Sequence, residues 1–419
     1  MRNIILSLIS ILLSIAVFSQ EKAYTNAIIH TGNGEVLENA YMVVNNGRIT
    51  ELASGEYNGS AEKVDLEQQH IYPGIIAPNS TLGLQEIGSV RATRDQREIG
   101  WFTPNVRSQI AFNTDSKILP TATCNGVLTA QVTPRGGYIS GQSSIMKLDE
   151  RNWEEATLKA NDGMHFYLPR RLKRSGWWAN PGPIEVDDKY QENLEKIGAF
   201  LTEAQAYHLA TNPTFNANLQ GMKGVFSGDQ KIYAHSNSAQ AFLDFLEMTK
   251  AFKLSQNIVW VGAYEADLIM DELKENRVSV LLRRTHDLPM YDDDDIEKPY
   301  RLAATLMKAG ILVGLENTGD MEQMNSRNFP YYAAQVTQYG ISDEEALKLI
   351  TINTAQILGI NNELGSLEKG KSATFFVSKG NMLEIFESDI THAFIEGRKI
   401  DFSKNHQLQL YQKYKGAFN

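Results

Sequence analysis

The chain has 419 residues and a formal net charge of −10, a balance that argues against nucleic acid or an anionic membrane surface as a partner. It holds a single cysteine, Cys124, so no intrachain disulfide can form and the fold must rest on a large apolar core. The length exceeds one compact domain and fits one large barrel with a small satellite.

The first residues read MRNIILSLISILLSIAVFSQ. Arg2 supplies a positive start and Ile4 to Phe18 an apolar run, the pattern of a secretory signal peptide over residues 1–19, cut ahead of Gln20. The alternative is an anchor helix, but the run falls short of the roughly 20 residues that a span needs. No later stretch is long and apolar enough to span, and no lipid-accepting cysteine follows. The expected location is therefore outside the cytoplasm, periplasmic or extracellular.

Residues 24–72 read as short strands joined by turns, with Asn45-Asn46-Gly47 as a hairpin signal. Pro73 to Gly83, PGIIAPNSTLG, opens on a turn and runs into a buried strand. Side chains two apart on a strand share a face, which pairs Asn79 with Thr81. Residues 82–118 read as a long polar loop, a length usually reserved for function or disorder; Glu86 lies in it, either at a site or as a surface carboxylate.

Cys124 to Val132 reads as a second strand, and Thr133 to Gln142 as a glycine-rich turn. A phosphate cradle is disfavoured there because the Gly-Lys-Ser/Thr of a P-loop is missing. Gly163 to Tyr167 is a strand bearing His165. The run Arg170, Arg171, Lys173, Arg174 before Trp177-Trp178 suggests either a polyanion or sugar site, or an exposed loop packing two aromatics on the body; the loop is the reading taken. Helical spacing covers residues 186–220. Lys231 to Ala234 is a strand ending at His235, a residue with either a ligand or a structural role.

An amphipathic helix follows over 238–253, then a strand at Asn257 to Gly262, a helix to Asn276, and a strand at Val278 to Leu282 that leads to His286. The acidic run Asp292 to Asp295 lacks the spacing and glycine turn of a calcium loop and reads as solvated. A helix at 300–309 precedes a strand at Ile311 to Leu315, after which come Glu316, Thr318 and Asp320. Ser342, with Glu345 three later, opens a helix by the capping-box rule that continues to Ala355. Residues 373–401 return to short strands.

The chain resembles the amidohydrolase superfamily, in its imidazolonepropionase-like branch. The resemblance is carried by Pro73-Gly74-Ile75-Ile76, by His235-Ser236-Asn237, and most specifically by the run from Glu344-Glu345-Ala346-Leu347 through Gly365-Ser366-Leu367-Glu368 to Ala373. It implies an α/β fold: a (β/α)8 TIM-type barrel over residues 73–364, with a small β-sandwich built from 20–72 plus 365–419. It also implies substitutions at the metal site. Asn79 and Thr81 stand at the two histidines of the first strand, Gly262 at a later metal histidine, and Thr318 at the aspartate that serves as ligand and base. His165 stands at a lysine, His235 at a retained metal histidine, and Glu86 at a matching loop position.

A catalytic zinc needs about three protein ligands and an open place for water, whose pKa it lowers to about 7. Neutral amide and hydroxyl oxygens are poor transition-metal ligands. The expectation is a barrel whose metal-dependent C–N hydrolysis is lost and which needs no cofactor. It would bind a small molecule or pair with an active amidohydrolase relative, as a homo- or hetero-oligomer. The alternative is a working hydrolase of non-peptide C–N bonds that uses His235, His286, Glu86 and Asp320 with zinc or another divalent metal. The pocket candidates are Asn79, Thr81, Glu86, His165, His235, His286, Thr318 and Asp320.

Overall fold

The computed structural model describes residues 21–177, 179–254 and 257–416; the leader read over residues 1–19 lies outside them. Two large sheets organise the chain. The first joins β1 (Lys22–His30), β2 (Val36–Asn45), β3 (Arg48–Ser54), β4 (Glu62–Asp65) and β5 (His70–Pro73) with three strands from the far end of the chain, β16 (Phe375–Ser378), β17 (Ile390–Ile395) and β18 (Arg398–Lys399). The two ends meet where β16 lies antiparallel to β5, with Phe376 opposite Tyr72. Tyr24, Phe375 and Phe394 fill this satellite's core, ring against ring at 4.5–5.3 Å.

The second sheet is a nearly closed TIM-type barrel. Its strands are β6 (Ile75–Ser80), β7 (Val127–Val132), β8 (Ile139–Lys147), β9 (Thr157–Tyr167), β12 (Lys231–Ser236), β13 (Ile258–Gly262), β14 (Ser279–Arg283) and β15 (Val313–Glu316), side by side in chain order. Seven run parallel, whereas β8 is antiparallel to both β7 and β9. The cause is connection length: a parallel crossover needs about a dozen residues or more, and the residues 133–138 allow only a hairpin. The stretch read as a glycine-rich turn thus ends in a strand. A smaller hairpin, β10 (Leu172–Trp177) with β11 (Asn180–Val186), stands apart from both sheets. It corrects the reading of this run as a loop laid on the body, since Leu172 to Trp177 are all exposed, Trp177 by 62%.

Helices cover the barrel as their apolar spacing dictates. In α1 (Tyr190–Leu209), Leu194, Ile197, Leu201 and Ala204 are buried. In α2 (Ala239–Ala251), the Ser238 hydroxyl accepts from Ala241 N and caps the start, and Phe242 and Phe245 turn inward. Phe242 stacks on Trp260 of β13 at 4.4 Å. The helix expected from Ser342 to Ala355 is instead two, α3 (Asp343–Lys348) and α4 (Ile352–Leu358). Between them the Leu349 carbonyl accepts from Leu315 N and the Ile350 carbonyl from Ile76 N, each at 3.0 Å. This break supplies β15 and β6 with partners across the seam where the barrel does not close by strand pairing. Among the described residues, no helix is long and apolar enough to cross a membrane.

Candidate functional site

At the C-terminal ends of the barrel strands lies a cavity of about 1040 Å³, roofed on one side by the β10–β11 hairpin. This is the face where barrel folds present chemistry. Its floor is built around Arg135, carried on the loop that follows β7. Gly136 and Gly137, at φ 94° and 68°, turn that loop through conformations that favour glycine. The guanidinium donates to the Asn79 side-chain oxygen, to the Asn79 carbonyl at 2.7 Å and to the Tyr167 hydroxyl at 3.1 Å. It also grips both Glu322 oxygens, at 3.1 and 3.3 Å. Burial weakens its charged form, but Tyr167, Glu322 and Glu316 more than restore it, so the proton is held more tightly than usual.

The acids beside it are fully engaged. Glu322 accepts from Thr81 through both the backbone N–H and the hydroxyl, each at 2.7 Å. Glu316, at the end of β15 and fully buried, accepts from the Thr318 N–H at 2.7 Å, the Thr318 hydroxyl at 2.6 Å and the Asn79 amide at 3.3 Å. Burial pushes the Glu316 carboxyl above its usual value, against the Thr318 hydrogen bonds and Arg135. Asn79 sits at φ 47° within a β6 whose register shifts between Ala77 and Ser80. The strict alternation expected for Asn79 and Thr81 is therefore broken by a bulge, a device common beside active sites. Asparagine tolerates that left-handed position better than most residues.

His235 of β12, which lines the cavity, faces the fully buried His165 of β9, ring nitrogen to ring nitrogen, at 2.8 Å. Tyr167 lies flat over His235 at 4.1 Å and Tyr233 over His165 at 4.7 Å. Burial pulls both imidazoles well below their usual pKa, His165 further through His235 and both through Arg135. The sign follows: the unfolded chain takes up protons near the usual value of about 6.5, and the folded one resists. Stability is therefore full above about pH 6.5 and falls as the pH drops toward the depressed folded values. The raised Glu316 opposes this at lower pH, where the folded state protonates first. We expect the urea midpoint to fall between pH 7.5 and 5.5, and the slope to flatten in His235→Gln; an unchanged slope in that variant would contradict the assignment.

The sequence candidates separate into two groups. Asn79, Thr81, His165, His235 and Thr318 come together here. Glu86, His286 and Asp320 do not. Glu86 sits on the loop 82–118, its backbone N–H on the Thr93 carbonyl at 3.0 Å. His286 is exposed, edge-on to Tyr332 at 5.2 Å. Asp320 is exposed past the strand end. The hydrolase constellation His235, His286, Glu86 and Asp320 is therefore not assembled: of the four, only His235 lines the cavity. Arg135, Tyr167 and Glu322 escaped the sequence reading, and Glu316 entered it only as a neighbour of Thr318. Arg135 and Tyr167 carried a usable signal, since each follows or ends a barrel strand. Glu322 carried none; it is brought in by a turn at Met321 with φ 55°.

Among the described residues, no group of three or more His, Cys, Asp and Glu side chains is arranged to hold a metal ion.

Residues 246–400 match the family model described as the amidohydrolase family. No curated protein matches the chain in sequence. Among solved structures, an amidohydrolase from Thermotoga maritima MSB8 is similar at 21% identity, covering 91% of this chain and 99% of its own, with a TM-score of 0.78. An adenosine deaminase from Xanthomonas campestris with bound zinc is similar at 14% identity over 94% and 98% of the two chains, with a TM-score of 0.52. A molinate hydrolase is similar at 14% identity over 94% and 97%, with a TM-score of 0.56.

Proposed function

We propose that this protein, which carries an amidohydrolase-family domain on an amidohydrolase fold, is an exported small-molecule-binding barrel that no longer performs metal-dependent C–N hydrolysis. The observation that carries the reading is the Arg135 guanidinium, seated between Asn79 and Glu322 at the floor of the mouth. A fixed positive charge there repels a divalent ion and ties up the oxygens that an ion would need. The remaining donors do not fit a hydrolytic metal. The Thr81 and Thr318 hydroxyls already donate to Glu322 and Glu316, and a ring nitrogen of His235 is bonded to His165. Gly262 is at φ 90°, and a Cβ there would meet the Asn237 side-chain oxygen at 2.7 Å, so a histidine cannot enter without local rearrangement. What persists is a large, roofed cavity with polar and apolar walls, the usual form of a ligand site. The same barrel would serve as a non-catalytic partner of an active relative.

The test is gain of function. Asn79→His/Thr81→His, incubated with added zinc, is expected to take up no stoichiometric metal in equilibrium dialysis and to hydrolyse no member of a panel of N-acyl amino acids, dipeptides and lactams. Stoichiometric zinc with turnover in the unmodified protein would overturn the reading.

A further inference from the structure

The cavity's charge runs against that of the chain. The protein is formally −10, yet six cationic side chains line the mouth, against the three carboxylates Glu265, Glu316 and Glu322. The acids are spoken for. Glu265 accepts from the Tyr291 hydroxyl at 2.9 Å and from Ala239 N at 2.8 Å; Glu316 and Glu322 are held as described above. Three of the cations are also matched: Arg135 by Glu322, Arg283 by Asp287 at 3.0 Å, and Lys173 by Asp187 at 3.9 Å. Arg170, Arg171 and Arg174 have no carboxylate within salt-bridge distance among the described residues. Arg171 lies only over the Tyr190 ring, at 5.6 Å.

The same hairpin supplies the apolar wall. Leu172 pairs with Val186, and Arg174 with Ile184. Cross-strand partners share a face, and residues two apart on a strand share it too. The four therefore make one surface, three apolar side chains and an arginine, and all four line the cavity. Val186 is 68% exposed and Leu172 42%, so an apolar ligand has surface to cover. Fixed like charges along a walled cleft focus the field on a small anion.

Resting on the metal-free reading above, we infer that the mouth takes a small amphiphilic acid, with two or more negative charges on an apolar segment. The charges go to Arg170, Arg171 and Arg174, and the apolar part goes under the hairpin. One phosphate or two separate carboxylates supply the ionised groups, and the chemistry of recognition is the same.

Calorimetric titration with four probes tests this: azelate, octyl phosphate, pyrophosphate and nonanoate. Azelate or octyl phosphate is expected to bind at least about tenfold more tightly than the other two, since nonanoate loses a charged hydrogen bond, worth about that factor, and pyrophosphate loses the whole buried apolar segment. Which of the two leads tells whether the charges lie apart or together. Added salt weakens the binding. Arg170→Gln/Arg171→Gln/Arg174→Gln, on exposed positions, is expected to keep its thermal midpoint and lose about tenfold or more in affinity. No saturable binding by azelate or octyl phosphate, pyrophosphate or nonanoate binding as tightly as they do, or affinity unchanged in the triple variant, would each overturn the inference. Metal analysis of the same preparation separates the two failures. One zinc per chain overturns the metal-free reading whatever the probes do; metal-free protein that ignores all four overturns this inference alone.

Discussion

Arg135→Met is expected to destabilise the protein by about 3–5 kcal/mol, read as a lower urea midpoint at pH 7 with the slope of the transition unchanged. The magnitude comes from what the substitution leaves behind. The Arg135 and Glu322 side chains are only 16% and 8% exposed, and Glu316 is fully buried beside them. Without the guanidinium, Glu322 becomes a buried charge held only by Thr81, and the Asn79 carbonyl loses a charged donor. The double variant Arg135→Met/Glu322→Gln removes both charges and is expected to recover part of the loss, because breaking a buried pair costs more than deleting it whole. A single-variant loss below about 1 kcal/mol, the size expected of a solvated surface pair, would show that Arg135 is no structural cation.

Trp260→Ala should cost a similar amount, about 3–5 kcal/mol, for a different reason. Trp260 is fully buried at the middle of β13, stacked on Phe242 and bonded through its indole N–H to the Ser236 carbonyl at 2.7 Å. Its removal opens a cavity between barrel and helix that the surroundings only partly refill. It also removes one of the two hydrogen bonds to the Ser236 carbonyl at the end of β12, where Ala263 N donates at 2.9 Å. That strand end carries His235. Trp260→Phe keeps the stacking and loses the hydrogen bond, so it is expected to fall between the two; equal losses for Phe and Ala would place the whole effect on the indole N–H.

How much of this was legible in the sequence follows from what each segment buries. Strands with continuous apolar runs, such as Ile258 to Val261, and helices with clean spacing, such as α2, were readable because their partners are apolar on every side. β8 was not. Its interior is Ser140, Gln142, Ser143 and Ser144, all buried, each held by specific hydrogen bonds. The Gln142 amide donates to the Pro104 carbonyl at 2.9 Å, and the Ser144 hydroxyl to Gln109 at 3.0 Å. A strand that buries polar groups in pairs has no hydrophobic period to detect. The β10–β11 hairpin was missed for the opposite reason, since its sides are mostly solvated and its charges resemble those of a loop.

The site divides in the same way. Asn79, Thr81, His165, His235 and Thr318 fall at strand ends, where alignment with a barrel pattern locates them. Arg135 and Glu322 reach the floor from turns, and their meeting is a tertiary fact with no local signature. Glu316 shows how narrow the margin is: it lies two residues before Thr318, and the barrel places the earlier of the two at the buried strand end.

The most direct measurement is the metal content of the protein, isolated without chelators and dialysed against zinc and manganese, with a crystal structure of the dialysed sample. The account predicts metal far below one ion per chain and the Arg135 guanidinium in place between Asn79 and Glu322. A stoichiometric ion bound to His235, with Arg135 swung aside and a water on the metal, would contradict it.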